Sequence, residues 1–180
     1  LISTISNIFQ RRVDAYIKGD VRYSKLSGHD IVIGANGLLE PALRHLQFSS
    51  ENNCNRKPQK VLIVSSLDAE SIRSRVNRIG IVDEKDIIIY RGNIYSQKFI
   101  SELRIRQCRQ VVIVGDVPIE ECDLGNTNIA DLLYETFHPQ TNEPSKDGHA
   151  SVGETNRPLP VFVSFYDDFY FNFLFFFSVI

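Results

Sequence analysis

The sequence predicts an α/β fold built on a doubly wound parallel sheet, with an amphipathic helix in front of it. Two observations carry that expectation. Four short, β-branched apolar runs, "IVIG" (31–34), "KVLIVSS" (60–66), "DIIIY" (86–90) and "QVVIVGD" (110–116), recur along the chain, and helical patterns separate them. Strands that are apolar throughout are buried on both faces, and crossover helices on each side of a parallel sheet are what bury them.

Taken in order, Ile2, Ile5, Phe9, Val13, Tyr16 and Ile17 fall at spacings of three and four, with Arg11, Arg12 and Asp14 between them, so residues 2–17 read as an amphipathic helix stopped at Gly19. A polar link, "GDVRYSKLSGHD", leads to the first strand. "LLEPALRHL" (38–46) is helical, with Pro41 tolerable in its first turn. After the second strand, "DAESIRSRVNRIG" offers Asp68 as N-cap and Gly80 as C-cap, with Ile72, Val76 and Ile79 inward and Ser71 and Arg75 outward. "SQKFISELRIRQC" (96–108) and "NIADLLYETF" (128–137) supply two further helices, the former turning Phe99, Ile100 and Leu103 inward. Residues 138–158 are polar, without period, and read as a flexible loop. "LPVFVSF" (159–165) returns to strand character. The aromatic tail that follows must be covered, either by an oligomer partner or another domain, or by completing this domain's own core. The expected organisation is a helix and linker over 1–28, a nucleotide-binding domain over 29–137, the loop, and a last strand with its tail over 159–180.

Composition narrows the function classes. The net charge is -2 and the basic residues are interspersed with acids, so no phosphate-backbone footprint is present and nucleic acid is not expected as a partner. Cys54, Cys108 and Cys122 have no metal-ligand spacing and fit a reducing compartment, which places the expected localisation in the cytoplasm. The chain starts at Leu1 and contains no Met, as expected of a piece of a longer protein.

Ligands of doubly wound sheets sit at the carboxyl ends of the strands, beside the first one. Those ends are Gly34, Ser65, Arg91 and Gly115. The turn "GANGLL" puts Gly34, Asn36 and Gly37 where backbone amides at a helix start can cradle a phosphate, although Asn36 and Leu39 stand where a full GxGxxG has glycine. Ser65 ends the second strand where NAD sites carry an acid. Gly92 and Asn93 of "YRGN" lie at the third strand end, and Asp116 finishes the fourth. Asp116, Glu120, Glu121 and Asp123 read as loop charges and a helix cap in preference to a divalent-metal cluster. Catalytic signals are lacking: no HExxH, GxSxG or Walker motif occurs, and His29, His45, His138 and His149 share no spacing. Tyr95 with Lys98 and Tyr23 with Lys25 miss the four-residue interval of a short-chain reductase pair, so the chain is not expected to be an enzyme.

Four pieces in order, "YSKLSGHDIVIGANG", "KVLIVSS", "DIIIYRGN" and "CRQVVIVGD" leading to "NTNIADLL", make residues 22–135 resemble the RCK (KTN) domain, the regulatory nucleotide-binding module of potassium channels and transporters. The resemblance implies a Rossmann-type fold that forms a homo-oligomer and binds NAD(H), ATP/ADP or another adenine nucleotide. It also implies attachment, through the first helix, to a membrane channel or transporter upstream, so that the chain is the soluble part of an inner-membrane protein. It would give Gly34, Asn36 and Gly37 the phosphate, Ser65 the ribose, and Gly92 and Asn93 the adenosine. Where the family usually has an acid this chain has Ser65, and where it has Asp this chain has Asn93. Two alternatives stand beside it: an NAD(P)-dependent reductase or epimerase of the extended short-chain type, whose first turn "GANGLL" also resembles, and a degenerate Rossmann scaffold used for protein contacts.

Overall fold

The computed structural model describes residues 2–22, 26–51, 60–81, 83–118, 121–137, 159–165 and 172–178. The elements are α1 (Ile2–Ile17), β1 (Asp30–Gly34), α2 (Leu39–Glu51), β2 (Val61–Ser65), α3 (Ala69–Ile79), β3 (Ile87–Arg91), α4 (Gln97–Ser101), β4 (Gln110–Gly115), α5 (Cys122–Phe137), β5 (Pro160–Phe165) and β6 (Asn172–Ser178). Short 3-10 turns at Glu84–Asp86 and Ile105–Gln107 lead into β3 and β4.

The sheet order is β3-β2-β1-β4-β5-β6. β1 to β5 are parallel, and β6 closes the edge antiparallel to β5. This is the expected α/β, Rossmann-like sheet. Its direction of growth reverses at β1, because β2 and β3 build outward on one side while β4 and β5 build on the other. The reversal opens a crevice between the carboxyl ends of β1 and β4.

Alternate residues of each strand feed two cores. Ile31, Ile33, Leu62, Val64, Val111 and Ile113 face a layer containing Ile100, Leu103, Ile129 and Leu133 of the α4 and α5 side. Val32, Val61, Ile63, Val112 and Val114 face Leu39, Ala42 and Leu43 of α2 and Ile72 and Val76 of α3. The strands therefore need apolar residues at successive central positions, which is why their sequences show no alternation.

Several boundaries differ from the sequence reading, for physical reasons. The amphipathic stretch over 96–108 stays α-helical only over Gln97–Ser101, because Arg104 takes a left-handed φ of 52° that no α-helix accommodates. Leu103 and Ile105 nevertheless reach the core. α5 begins at Cys122, before the apolar pattern does, and its extra turns carry Leu124, which is 75% exposed. The tail at 172–178 is a strand pairing with β5, so it completes the sheet edge of this domain. The loop assigned to 138–158 lies outside the described residues. No helix among the described residues is long and apolar enough to cross a membrane.

Candidate functional site

At the amino ends of the strands, away from the crevice, Asp30 opens β1. Arg109 Nε and Nη2 donate to its two carboxylate oxygens at 2.8 and 2.6 Å. Burial raises the Asp30 pKa against the lowering effect of Arg109 and Gln110. Neighbouring His29 is buried, neither of its ring nitrogens has a hydrogen-bond partner, and burial lowers its pKa to about 4. Burial likewise lowers His45 and raises the Cys108 thiol. This end is a buried polar support, and none of the sequence candidates sits there.

The candidates converge at the opposite end. β1 ends at Gly34, with φ 99°, and a Cβ there would run into the backbone of Gly115. Glycine at 34 thus serves both the left-handed turn and the close approach of β1 to β4. The next residues fold back onto β4. Asn36 N donates to Gly115 O at 3.1 Å, and Asn36 Nδ2 donates to Val114 O at 2.6 Å. Asn36 Oδ1 accepts from Leu38 N at 2.9 Å, an Asx turn that starts α2. Leu39 N donates to Asn36 O at 3.2 Å. The Asn36 side chain is therefore turned inward, and the residue is 6% exposed.

Asp116 completes the arrangement. It follows β4, and its carboxylate reaches across β1 to the end of β2. Oδ1 accepts from Ala35 N at 3.0 Å and from Ser65 Oγ at 2.6 Å. Oδ2 accepts from Ser66 N and Ser66 Oγ, both at 2.6 Å. Ser65 Oγ in turn accepts from Leu67 N at 3.0 Å, and Ser65 is completely buried. From α3, Arg75 Nη1 donates to the carbonyls of Ala35 and Asn36 at 2.6 and 3.0 Å.

The structure thus brings Gly34, Asn36, Ser65 and Asp116 into one hydrogen-bonded cluster, with Gly37 exposed beside it. Gly92 is one bond away, its amide donating to Ser65 O at 2.9 Å, and a Cβ on it would collide with the Phe99 ring. Asn93 is exposed and accepts from Tyr95 N, closing its own turn. The amides of Ala35, Asn36, Leu38 and Leu39 each already have an acceptor inside the protein. The acceptor for Ala35 is the Asp116 carboxylate, an anion at the start of the turn into α2.

In the sequence Ser66 reads beside Ser65 as a hydroxyl at the end of β2, and Arg75 as an outward residue of α3, and neither is an expected site residue. The paired serines at the strand end were a signal for hydroxyl donors, but only the strand order shows that Asp116 is their acceptor. Arg75 lies at an outward position of α3 and reaches back along its length. Glu120 lies outside the described residues. Among the described residues no group of three or more His, Cys, Asp or Glu is placed to hold a metal ion. No protein-family model matches the chain, and no curated protein matches it.

Proposed function

We propose that this chain is a regulatory Rossmann-like module, of the kind the RCK resemblance suggests beside a potassium channel or transporter, that acts through protein contacts and not through a dinucleotide held at its first turn. One observation carries the reading: the Asp116 carboxylate accepts from Ala35 N, Ser65 Oγ, Ser66 N and Ser66 Oγ. A ligand arriving at that turn would find the Ala35 amide and the serine donors at the end of β2 already bound to a carboxylate. The exposed apolar side of α1 supports the contact role. Ile5, Ile8 and Phe9 are 61%, 56% and 70% exposed, a grouping that asks for a covering surface.

A reductase or epimerase draws little support from this geometry, because the Ala35, Asn36, Leu38 and Leu39 amides are bonded within the protein and Tyr95 and Lys98 are three residues apart. A nucleotide-sensing version of the module would need Asp116 to swing away before ligand could enter.

The test is a thermal-shift and calorimetric titration of the chain with NAD, NADH, NADP, ATP and ADP. Ligand at about a hundred times Kd would stabilise the fold by about 2.7 kcal/mol, so binding would be plain to see. The expected result is no saturable binding by any of them. Saturable binding that Gly34→Val abolishes, in a variant still folded by circular dichroism, would overturn the reading.

A further inference from the structure

We infer that α1 and the closed crevice form one coupled unit, joined by a strap of residues Gly19 to Arg22 that ties the end of the helix to the rim of the crevice. The inference rests on the reading of the crevice as held shut by Asp116.

α1 has few other holds on the domain. From Thr4 to Lys18 every residue is exposed except Val13 and Ala15, which are half-buried. The helix ends where Gly19 takes a φ of 74°, its amide donating to Tyr16 O at 3.1 Å, and Gly19 itself is buried against the sheet. A Cβ at Gly19 would sit 3.1 Å from Arg91 N and 3.2 Å from both Ala69 Cβ and Ile89 O, so only glycine lets the chain lie this close to β3. Arg91 N donates to Gly19 O at 2.9 Å. Arg22 then clamps both sides of that contact, Nη1 donating to Gly19 O and Nη2 to Arg91 O, each at 2.8 Å. Its guanidinium lies 4.6 Å from the Tyr90 ring centroid and 5.3 Å from that of Phe99. The planar fork and the stacked rings fix its position more firmly than a lysine ammonium could.

From Arg91 the bonds continue without a gap into the crevice. Gly92 N donates to Ser65 O, Ser65 Oγ donates to Asp116, and Asp116 accepts from Ser66 and Ala35. A second route shares none of these side chains. On α3, the Arg73 guanidinium lies 5.0 Å from the Tyr16 ring of α1, while Arg75 holds the Ala35 and Asn36 carbonyls. A change in the seat of Asp116 therefore reaches α1 by the rim and by α3, and a pull on α1 reaches Asp116 by the same contacts. Such coupling is reciprocal in free energy.

Amide hydrogen exchange on the whole 180-residue chain tests this, with Arg22→Gln, Ser66→Ala and the double variant compared with the parent at equal fraction folded. Arg22→Gln should raise exchange at Asp20 and Arg91 by about tenfold, as expected when charge-assisted bonds are lost, and raise it severalfold at Ser66 and Ala35 as well. Ser66→Ala should do the reverse, loosening Ala35 first and Arg91 and Asp20 with it. The double variant should lose less protection than the two single losses combined, as residues of one network do. Arg22→Lys, a milder change, should fall between parent and Arg22→Gln at all four amides. Changes confined to 19–22 and 91 in one variant and to 35 and 66 in the other, with additive losses, would overturn the inference. Saturable nucleotide binding to the parent chain would instead overturn the closed-crevice reading, and the exchange cycle would still report separately on the strap.

Discussion

Replacing Arg109 by methionine removes one half of the ion pair at the amino end of β1 and leaves the other half in place. The Asp30 side chain is 2% exposed and that of Arg109 is 11% exposed. Without the guanidinium, burial acts on the carboxyl unopposed except by Gln110 and His45, and its already raised pKa climbs further. Breaking a buried pair from one side typically costs about 3–5 kcal/mol. The protein limits that cost by protonating Asp30. Holding neutral in the fold a group whose unfolded pKa is near 3.9 costs at pH 7 about 1.36 kcal/mol for each of roughly three units, a ceiling of about 4 kcal/mol.

The sign follows from the direction of the shift. An acid whose folded pKa lies above its unfolded value contributes stability at low pH and loses it as pH rises, so the deficit of Arg109→Met grows with pH. Urea unfolding should show a loss of about 3–4 kcal/mol at pH 7, shrinking to about 1–2 kcal/mol near pH 5. His45 adds in the same sense, since removing Arg109 lifts one of the influences that lower its pKa and lets it take up a proton in acid. The double variant Asp30→Leu with Arg109→Met should recover most of the loss, because no charge is then stranded. A deficit under about 1 kcal/mol at pH 7, or one that does not change with pH, would refute the reasoning.

Two more outcomes follow from single positions. Gly34→Ala places a side chain in a left-handed backbone and into the Gly115 backbone, and should lower stability by about 2 kcal/mol or more in urea unfolding; an unchanged midpoint would mean that β1 and β4 do not approach as described. His29 is buried and neutral, with its pKa lowered from 6.5 to about 4, so the unfolded chain takes up a proton before the folded one does. Its contribution therefore falls as pH drops from about 6.5 to about 4, by at most about 3 kcal/mol; subtracting the unfolding free energy of His29→Leu from that of the parent at pH 7 and near pH 4.5 should reveal this slope, and equal differences at the two pH values would rule it out.

What could be read from the sequence was whatever depends on neighbours along the chain. Burial of β1, β2 and β4 along their whole length leaves β-branched runs that announce themselves, and α3 carries both its stops in the residues that flank it. Asp68 Oδ2 accepts from Ser71 N at 3.0 Å, and Gly80 turns with a φ of 66°. The early end of α4 was not legible, because Arg104, and no glycine or proline, adopts the left-handed angle. At the crevice the same division holds. Gly34 could be located at its turn from the pattern of strand and helix. The partners of Asp116 could not be, since Ser65 and Ser66 lie fifty-one and fifty residues away and face it only because β1 stands between β4 and β2. The Asp30–Arg109 pair, seventy-nine residues apart, depends on the same adjacency of β1 and β4.

The glycine-rich turn and the internal carboxylate are compatible for a geometric reason. Gly34 is required by its φ and by contact with Gly115, and both requirements stand whether or not a ligand arrives. Backbone N–H groups at such a turn need an acceptor in any case, since an unmet buried donor costs about 1–3 kcal/mol. A bound phosphate would meet that need only while ligand is present; Asp116 meets it permanently from within the chain. With the carboxylate seated, a phosphate oxygen placed about 4 Å from it would meet a repulsion of about 4 kcal/mol at an effective dielectric near 20, and the Arg75 guanidinium on the Ala35 and Asn36 carbonyls offsets part of it. On the proposed reading the turn keeps the backbone shape associated with nucleotide sites while Asp116 supplies an acceptor from within the chain, and a glycine count alone registers only the first of these properties.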